Sequence, residues 1–160
     1  MVGQHAPEST GGLSNAKGTL WEGGIRVPAF VRWTGKINPG IITQQVAITM
    51  AWTATILSIG KGQSHPNFPL DGINLLPVLT GKKEEIQRTQ YWRTFQRKMS
   101  KAIREGDWKY LQDENEEYLF NLSVDPGEKT NLKTEQEAIF KRLKEKFMKW
   151  QKTVLQPIPL

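Results

Sequence analysis

Residues 101–122, KAIREGDWKYLQDENEEYLFNL, carry the reading of the fold. Short runs of β-branched, aromatic and aliphatic residues are separated here by Glu105-Gly106 and by the acidic DENEE stretch, both of which supply residues that favour turns. The pattern predicts strands over Gln90–Phe95, Lys101–Arg104, Asp107–Gln112 and Tyr118–Leu122, joined as an antiparallel meander. Just beyond, Asp125-Pro126-Gly127 reads as a turn, and Thr134 with Glu137 three positions on has the form of a capping box opening a helix. Ile139, Leu143, Phe147, Trp150 and Val154 then recur at helical spacing, an apolar stripe suited to packing on the meander.

Upstream of the meander, the charged stretch KKEEIQR, residues 82–88, reads as a boundary between subdomains. Before it, DGINLLPVLTG suits a short helical turn interrupted by Pro77. MAWTATILSIG suits a helix capped by Thr49, with Trp52, Ile56 and Ile59 on one side and Gly60 as its stop. The β-branched and aromatic run VPAFVRW, Val27–Trp33, predicts a buried strand, and QQVAI a shorter one. Residues 1 to about 24 show no period and read as an irregular loop. The expected class is α+β.

Composition narrows the chemistry. No apolar run approaches the roughly 20 residues a membrane helix needs, and residues 1–12 lack the basic start and apolar centre of a signal peptide. The absence of cysteine excludes disulfides, thiolate metal sites and a thiol nucleophile. A formal charge of +6 would attract polyanions, but much of it lies in Lys141, Arg142, Lys144, Lys146, Lys149 and Lys152, where a solvated helix face is the ordinary explanation. His5 and His65 sit far apart in loops without metal-like spacing, and turn formation accounts for Asp71, Asp107 and Asp125. Asn121-Leu122-Ser123 matches a glycosylation sequon, a triplet common by chance.

KGTLWEGGIRVP, Lys17–Pro28, stands apart. It sets a cation, an aromatic ring, a carboxylate, two glycines and an arginine ahead of the expected strand, the layout of a loop shaped around a ligand. Glu22 and Arg26 are placed to form a local ion pair, and Gly23-Gly24 to adopt backbone angles closed to other residues. Lys17 has no nearby partner in sequence and is suited to act as a point charge on an anion.

This loop resembles the K-G-x-x-x-E-G-G-x-R-x-P segment of sulfatases in the alkaline-phosphatase-like superfamily, matched without deviation by Lys17, Gly18, Glu22, Gly23, Gly24, Arg26 and Pro28. WTGKINPG, MAWTATILSIG, DGINLLPVLTG, AIREGDWKYL and YLFNLSVDPGEKTNL are similar to further segments of the family, in the same order. The resemblance implies that residues 1–85 are a C-terminal remnant of the α/β catalytic domain, contributing a strand and helix from its edge. Residues 86–160 would then be the small C-terminal subdomain, an antiparallel sheet plus helix. Many relatives carry aspartate where this chain has Ala51, which leaves the capping to Thr49.

The resemblance also implies hydrolysis of a sulfate ester in the intact enzyme, with Lys17 binding a sulfate oxygen and stabilising the leaving oxygen. His5 and Glu8 become candidates for the substrate pocket, while Glu22, Gly23, Gly24 and Arg26 shape the loop. The family's nucleophile, a formylglycine made from C-x-P-S-R, and its calcium ligands, including a D-N-G, have no counterpart in this sequence. The expectation is therefore a chain without metal ligands or cofactor of its own, silent alone, whose partners are the N-terminal catalytic part and a sulfated small molecule or glycan, with no nucleic acid and no membrane span. Export to the periplasm, the extracellular space or the lysosome follows from the resemblance alone. Two alternatives stay open: a stand-alone polyanion- or glycan-binding module, and part of a phosphate or phosphonate ester hydrolase of the same superfamily.

Overall fold

The computed structural model describes residues 10–94 and 99–154. The chain divides into two compact units: the described residues up to Pro28 together with those from Thr89 onward, and Ala29–Arg88. The Lys17–Pro28 loop thus groups with the sheet that follows it by some sixty residues in sequence.

The first unit is built on an antiparallel sheet of β1 (Thr89–Thr94), β2 (Ser100–Glu105), β3 (Trp108–Asp113) and β4 (Glu116–Asn121), in sequential order. The meander expected from the sequence is present, with strand ends displaced by one or two residues among those described; Phe95, the expected end of the first strand, lies outside them. Gly106, at φ +59, is the first of the two residues linking β2 to β3, the position at which a tight hairpin calls for glycine. Alternation then sorts the side chains. Ile103, Tyr110 and Leu119 lie abreast on one face, while Ala102 and Leu111, abreast of Tyr118, lie on the other.

Helix α4 (Glu137–Gln151) covers the first of these faces with Leu143 and Phe147, both buried, flanked by Ile139 and Trp150. Tyr91 stacks on the Trp150 ring at 4.6 Å. The stripe expected from the sequence therefore does pack on the meander, except that Val154 lies beyond the helix end. The capping box does not form: Gln136 is the N-cap and no side chain caps the helix. Asn131 acts one turn earlier, where its Oδ1 accepts the N–H groups of Leu119 and Lys133 and its Nδ2 donates to the Glu117 carbonyl, binding the segment to the β4 edge.

Ion pairs also join α4 to the sheet. Glu105 accepts from Lys146 and Arg142, and Glu117 from Lys144 and the Tyr110 hydroxyl. The bonds from Lys146, ahead of an opposing effect of burial and those from Arg142, hold the Glu105 carboxyl below its ordinary value. At Glu117 burial pushes upward, but Lys144 and Tyr110 together outweigh it and the net direction is again down. Both groups contribute fully above the ordinary glutamate value of 4.5, and the contribution is lost as pH falls through the lowered folded values. Because each pair stays partly open to solvent, it contributes about 1 kcal/mol or less. Thermal melts near neutrality and at about pH 3 should show a lower midpoint in acid, with a smaller fall in Glu105→Gln; an equal fall in both would contradict this.

The opposite face of the sheet is covered by the N-terminal loop and by α1 (Glu22–Ile25), through Leu20, Trp21 and Ile25 on Ala102, Leu111 and Phe120. Trp21 lies edge-on to Tyr118 at 5.0 Å and its Nε1–H donates to Asp113. The sheet is thus covered on both faces, which explains why consecutive apolar residues stand at the centre of each strand: Tyr91-Trp92, Ala102-Ile103, Tyr110-Leu111 and Tyr118-Leu119-Phe120.

In the second unit, α2 (Thr49–Ile59) ends at Gly60 as expected, but its N-cap is Ile48, and Thr49 lies inside the first turn. The side it buries is Ala51 and Thr55, not Trp52, Ile56 and Ile59; Ile56 is 67 % exposed. Small residues win because the backbone of 72–75 approaches the helix closely: a Cβ on Gly72 would stand 1.9 Å from the Met50 carbonyl oxygen. Thr55 Oγ1 donates to Ala51 O and accepts the Leu75 N–H. A short helix α3 (Leu76–Leu79) follows, with Pro77 in its first turn, where proline is tolerated. Val27–Trp33 and Gln44–Ile48 form no strand. A strand requires a ladder partner, and Val27–Trp33 forms no ladder among the described residues; Val27 and Phe30 are 78 and 93 % exposed.

Candidate functional site

The Lys17–Pro28 loop is attached to the sheet by charge as well as by apolar packing. On β3, Lys109 is in phase with Leu111 and points to the loop side of the sheet, where its side chain is fully buried. Its Nζ lies 2.8 Å from Glu22 Oε1 and 2.8 Å from Glu128 Oε1, and both carboxylates are also buried. The approach to Glu22 has hydrogen-bond geometry, whereas that to Glu128 is a close ion pair poorly angled for a directed bond. Glu128 Oε2 accepts the Glu22 backbone N–H at 2.6 Å. Arg104, one strand over from Lys109, approaches Glu22 at 3.8 Å, and Arg26 at 4.0 Å. The two carboxylates are thereby balanced inside the fold by two cations, Lys109 and Arg104, with the half-exposed Arg26 at the rim, the condition under which buried charge is tolerated.

Burial pushes the Glu128 carboxyl above its ordinary value, with the facing Lys109 ammonium and the Glu22 N–H drawing it part of the way back. Burial likewise lowers Arg104, which Glu22 partly offsets.

Each residue expected to matter can now be placed. The Glu22–Arg26 pair exists but is the longest contact Glu22 makes, and Lys109 is its main partner. Gly23 and Gly24 are required for space rather than for backbone angle, since neither has positive φ. A Cβ on Gly23 would stand 2.3 Å from the Asn15 carbonyl oxygen, and one on Gly24 2.3 Å from that of Thr19. Lys17 is exposed, in the tight turn where Thr19 N–H and Oγ1 both return to the Ala16 carbonyl, and it makes no hydrogen bond or ion pair with the described residues. His5 and Glu8 lie outside the described residues. His65 is an exposed loop residue tilted on Phe68, its Nδ1 accepting the Asn67 N–H.

Lys109, Arg104 and Glu128 were not singled out by the sequence reading. A signal was present: Lys109 shares its strand phase with Leu111, and Glu128 follows Gly127 in the DPGEKTNL stretch. Among the described residues, no group of three or more His, Asp or Glu side chains is placed to hold a metal ion, and no helix is long and apolar enough to cross a membrane.

Residues 15–153 match the family described as N-sulphoglucosamine sulphohydrolase, C-terminal. Arylsulfatase A of Bos taurus is 30 % identical over 149 residues, a match covering 77 % of this chain and 29 % of the bovine protein. Steryl-sulfatase of Mus musculus is 30 % identical over 89 residues, covering 56 % of this chain and 14 % of that protein. A solved structure of Ps i-CgsB in complex with k-i-k-neocarrahexaose superposes with a TM-score of 0.73 at 25 % identity, covering 86 % of this chain and 31 % of that one. The chain therefore spans less than a third of the length of these relatives.

Proposed function

Because this chain belongs to the N-sulphoglucosamine sulphohydrolase C-terminal family and is the C-terminal part of a sulfatase, we propose that it completes the sulfate-ester site of an intact enzyme and contributes Lys17 to it. The observation that carries this reading is the contrast within one loop. Every other charged side chain of KGTLWEGGIRVP is engaged by the fold, while Lys17 is exposed and unpaired among the described residues on a backbone that is firmly held. An ammonium so placed can approach a sulfate oxygen as a point charge and stabilise the negative charge that develops on the leaving oxygen.

In the intact enzyme, formylglycine would supply the attacking hydroxyl and calcium would neutralise sulfate oxygens. The residues of this chain fit neither group, since it has no cysteine and its described residues offer no acidic cluster. Their sites belong in this reading to the N-terminal catalytic part, and exposed apolar side chains such as Phe30 and Ile42, 93 and 87 % accessible, support the existence of such a partner. A sulfated glycan or small molecule is the substrate class, a reading supported by the neocarrahexaose complex of Ps i-CgsB. His5 and Glu8 are assigned to its pocket, and the enzyme to an exported or lysosomal compartment.

The polyanion-module alternative and a nucleic-acid partner gain no support from the basic helix. Four of its six cations, Lys141, Arg142, Lys144 and Lys146, are paired with Glu137, Glu105 and Glu117, so most of its charge is already engaged by the fold. The purified chain, incubated with an aryl sulfate and calcium, should give no turnover above a Lys17→Ala control; a clear excess over that control would overturn the division of labour proposed here.

A further inference from the structure

Among the described residues Lys17 has no hydrogen bond or ion pair that fixes its own side chain, so its position follows from what holds its backbone. The attachment can be followed residue by residue. The turn Ala16–Thr19 lies against Gly24, at which an added Cβ would meet the carbonyl oxygens of both Thr19 and Ala16. Gly24 belongs to α1, whose first residue, Glu22, donates its backbone N–H to Glu128 and accepts from Lys109 through its carboxylate. Ser14, just before the turn, donates from Oγ to the Gly127 carbonyl at 2.6 Å, and its own carbonyl accepts the Gly23 N–H. The turn that carries Gly127 and Glu128 is itself braced, because Asp125 Oδ2 accepts the N–H groups of Lys129 and Thr130.

Glu128 is the unusual member of this series. Its φ of +54 is left-handed, a conformation that glycine enters freely and a residue with a side chain enters only at a cost. A glutamate at such a position indicates that the side chain contributes something glycine could not, and its carboxylate is what receives the Glu22 N–H and faces Lys109. We propose that Glu128 is a positioning residue for Lys17: its carboxylate sets α1 on the sheet, and α1 sets the turn from which the lysine projects. The inference rests on the reading of Lys17 given above.

The test uses the enzyme of which this chain is the C-terminal part, with an aryl sulfate as substrate and four proteins compared: wild type, Lys17→Ala, Glu128→Ala and the double variant. Glu128→Ala is expected to lower kcat by roughly tenfold to a hundredfold at a temperature where it remains folded, the size of effect that follows a small misplacement of a reacting group. Combined with Lys17→Ala it should cause no further loss. Glu128→Gln, which keeps an acceptor for the Glu22 N–H, should recover much of the rate and serves in place of Glu128→Ala if that variant fails to fold. Hydrogen exchange at the Gly23 and Gly24 amides should quicken in the Glu128 variants while the β3 amides stay protected. Losses that add in full, or unchanged exchange in the loop, would overturn the proposal. A Lys17→Ala enzyme with wild-type turnover would instead refute the Lys17 reading, a distinguishable result.

Discussion

Lys109→Met is expected to destabilise the sheet unit by about 3–5 kcal/mol, the cost of removing one partner from a buried, hydrogen-bonded charge pair. The methionine fills much the same volume, so the loss arises from charge rather than from a cavity. Glu22 and Glu128 would be left facing each other with no ammonium between them, in a space neither side chain can leave without releasing α1. Arg104, at 3.8 Å from Glu22, compensates only one of the two. Against a typical total stability of about 5–15 kcal/mol the loss is large, and it should lower the thermal midpoint by on the order of 10 °C. In this variant, lowering the pH should restore part of the stability, because one carboxyl can then take up a proton and donate to the other. This is opposite in sign to the acid effect at Glu105 and Glu117, so the two can be separated. A loss below about 1 kcal/mol would mean that the cluster tolerates an uncompensated charge and that the apolar contacts of Leu20, Trp21 and Ile25 hold the loop by themselves.

Lys17→Ala in the intact enzyme should do the reverse. Removing an exposed side chain without partners among the described residues leaves stability within about 0.5 kcal/mol of wild type. Turnover of a sulfate ester should fall by about 10²–10³, as when one preorganised donor to a developing negative charge is removed. Lys17→Arg should recover little, since the guanidinium is broader and flat where the proposed role asks for a compact charge. The loop thus separates two lysine-dependent tasks: Lys109 from the sheet holds it, and the role proposed for Lys17 is to meet the substrate.

The parts of the fold legible in the sequence are those governed by local chemistry. Glu105-Gly106 announced the β2–β3 hairpin because a two-residue turn needs positive φ at its first position, and Leu143 and Phe147 announced the buried side of α4 by spacing alone. Misreadings arose where a distant partner decides. Val27–Trp33 has the composition of a strand but no ladder to join, and the buried side of α2 follows the approach of Gly72 rather than the apolar residues of the helix. Thr134 and Glu137 have capping spacing, yet Asn131 and Gln136 take over the start of α4. Within the site, Lys17 and the Glu22–Arg26 loop were visible through resemblance. Lys109 was not, because a lysine in a strand reads as solvated until the sheet is seen to be covered on both faces.

Turnover and thermal midpoint measured together on the Lys17→Ala enzyme test most directly whether buried charge holds this loop so that Lys17, unpaired among the described residues, can act on an anion. The expected result is an unchanged midpoint with turnover reduced at least about a hundredfold. A midpoint lowered as far as in Lys109→Met, or turnover that stays at the wild-type level, would contradict it.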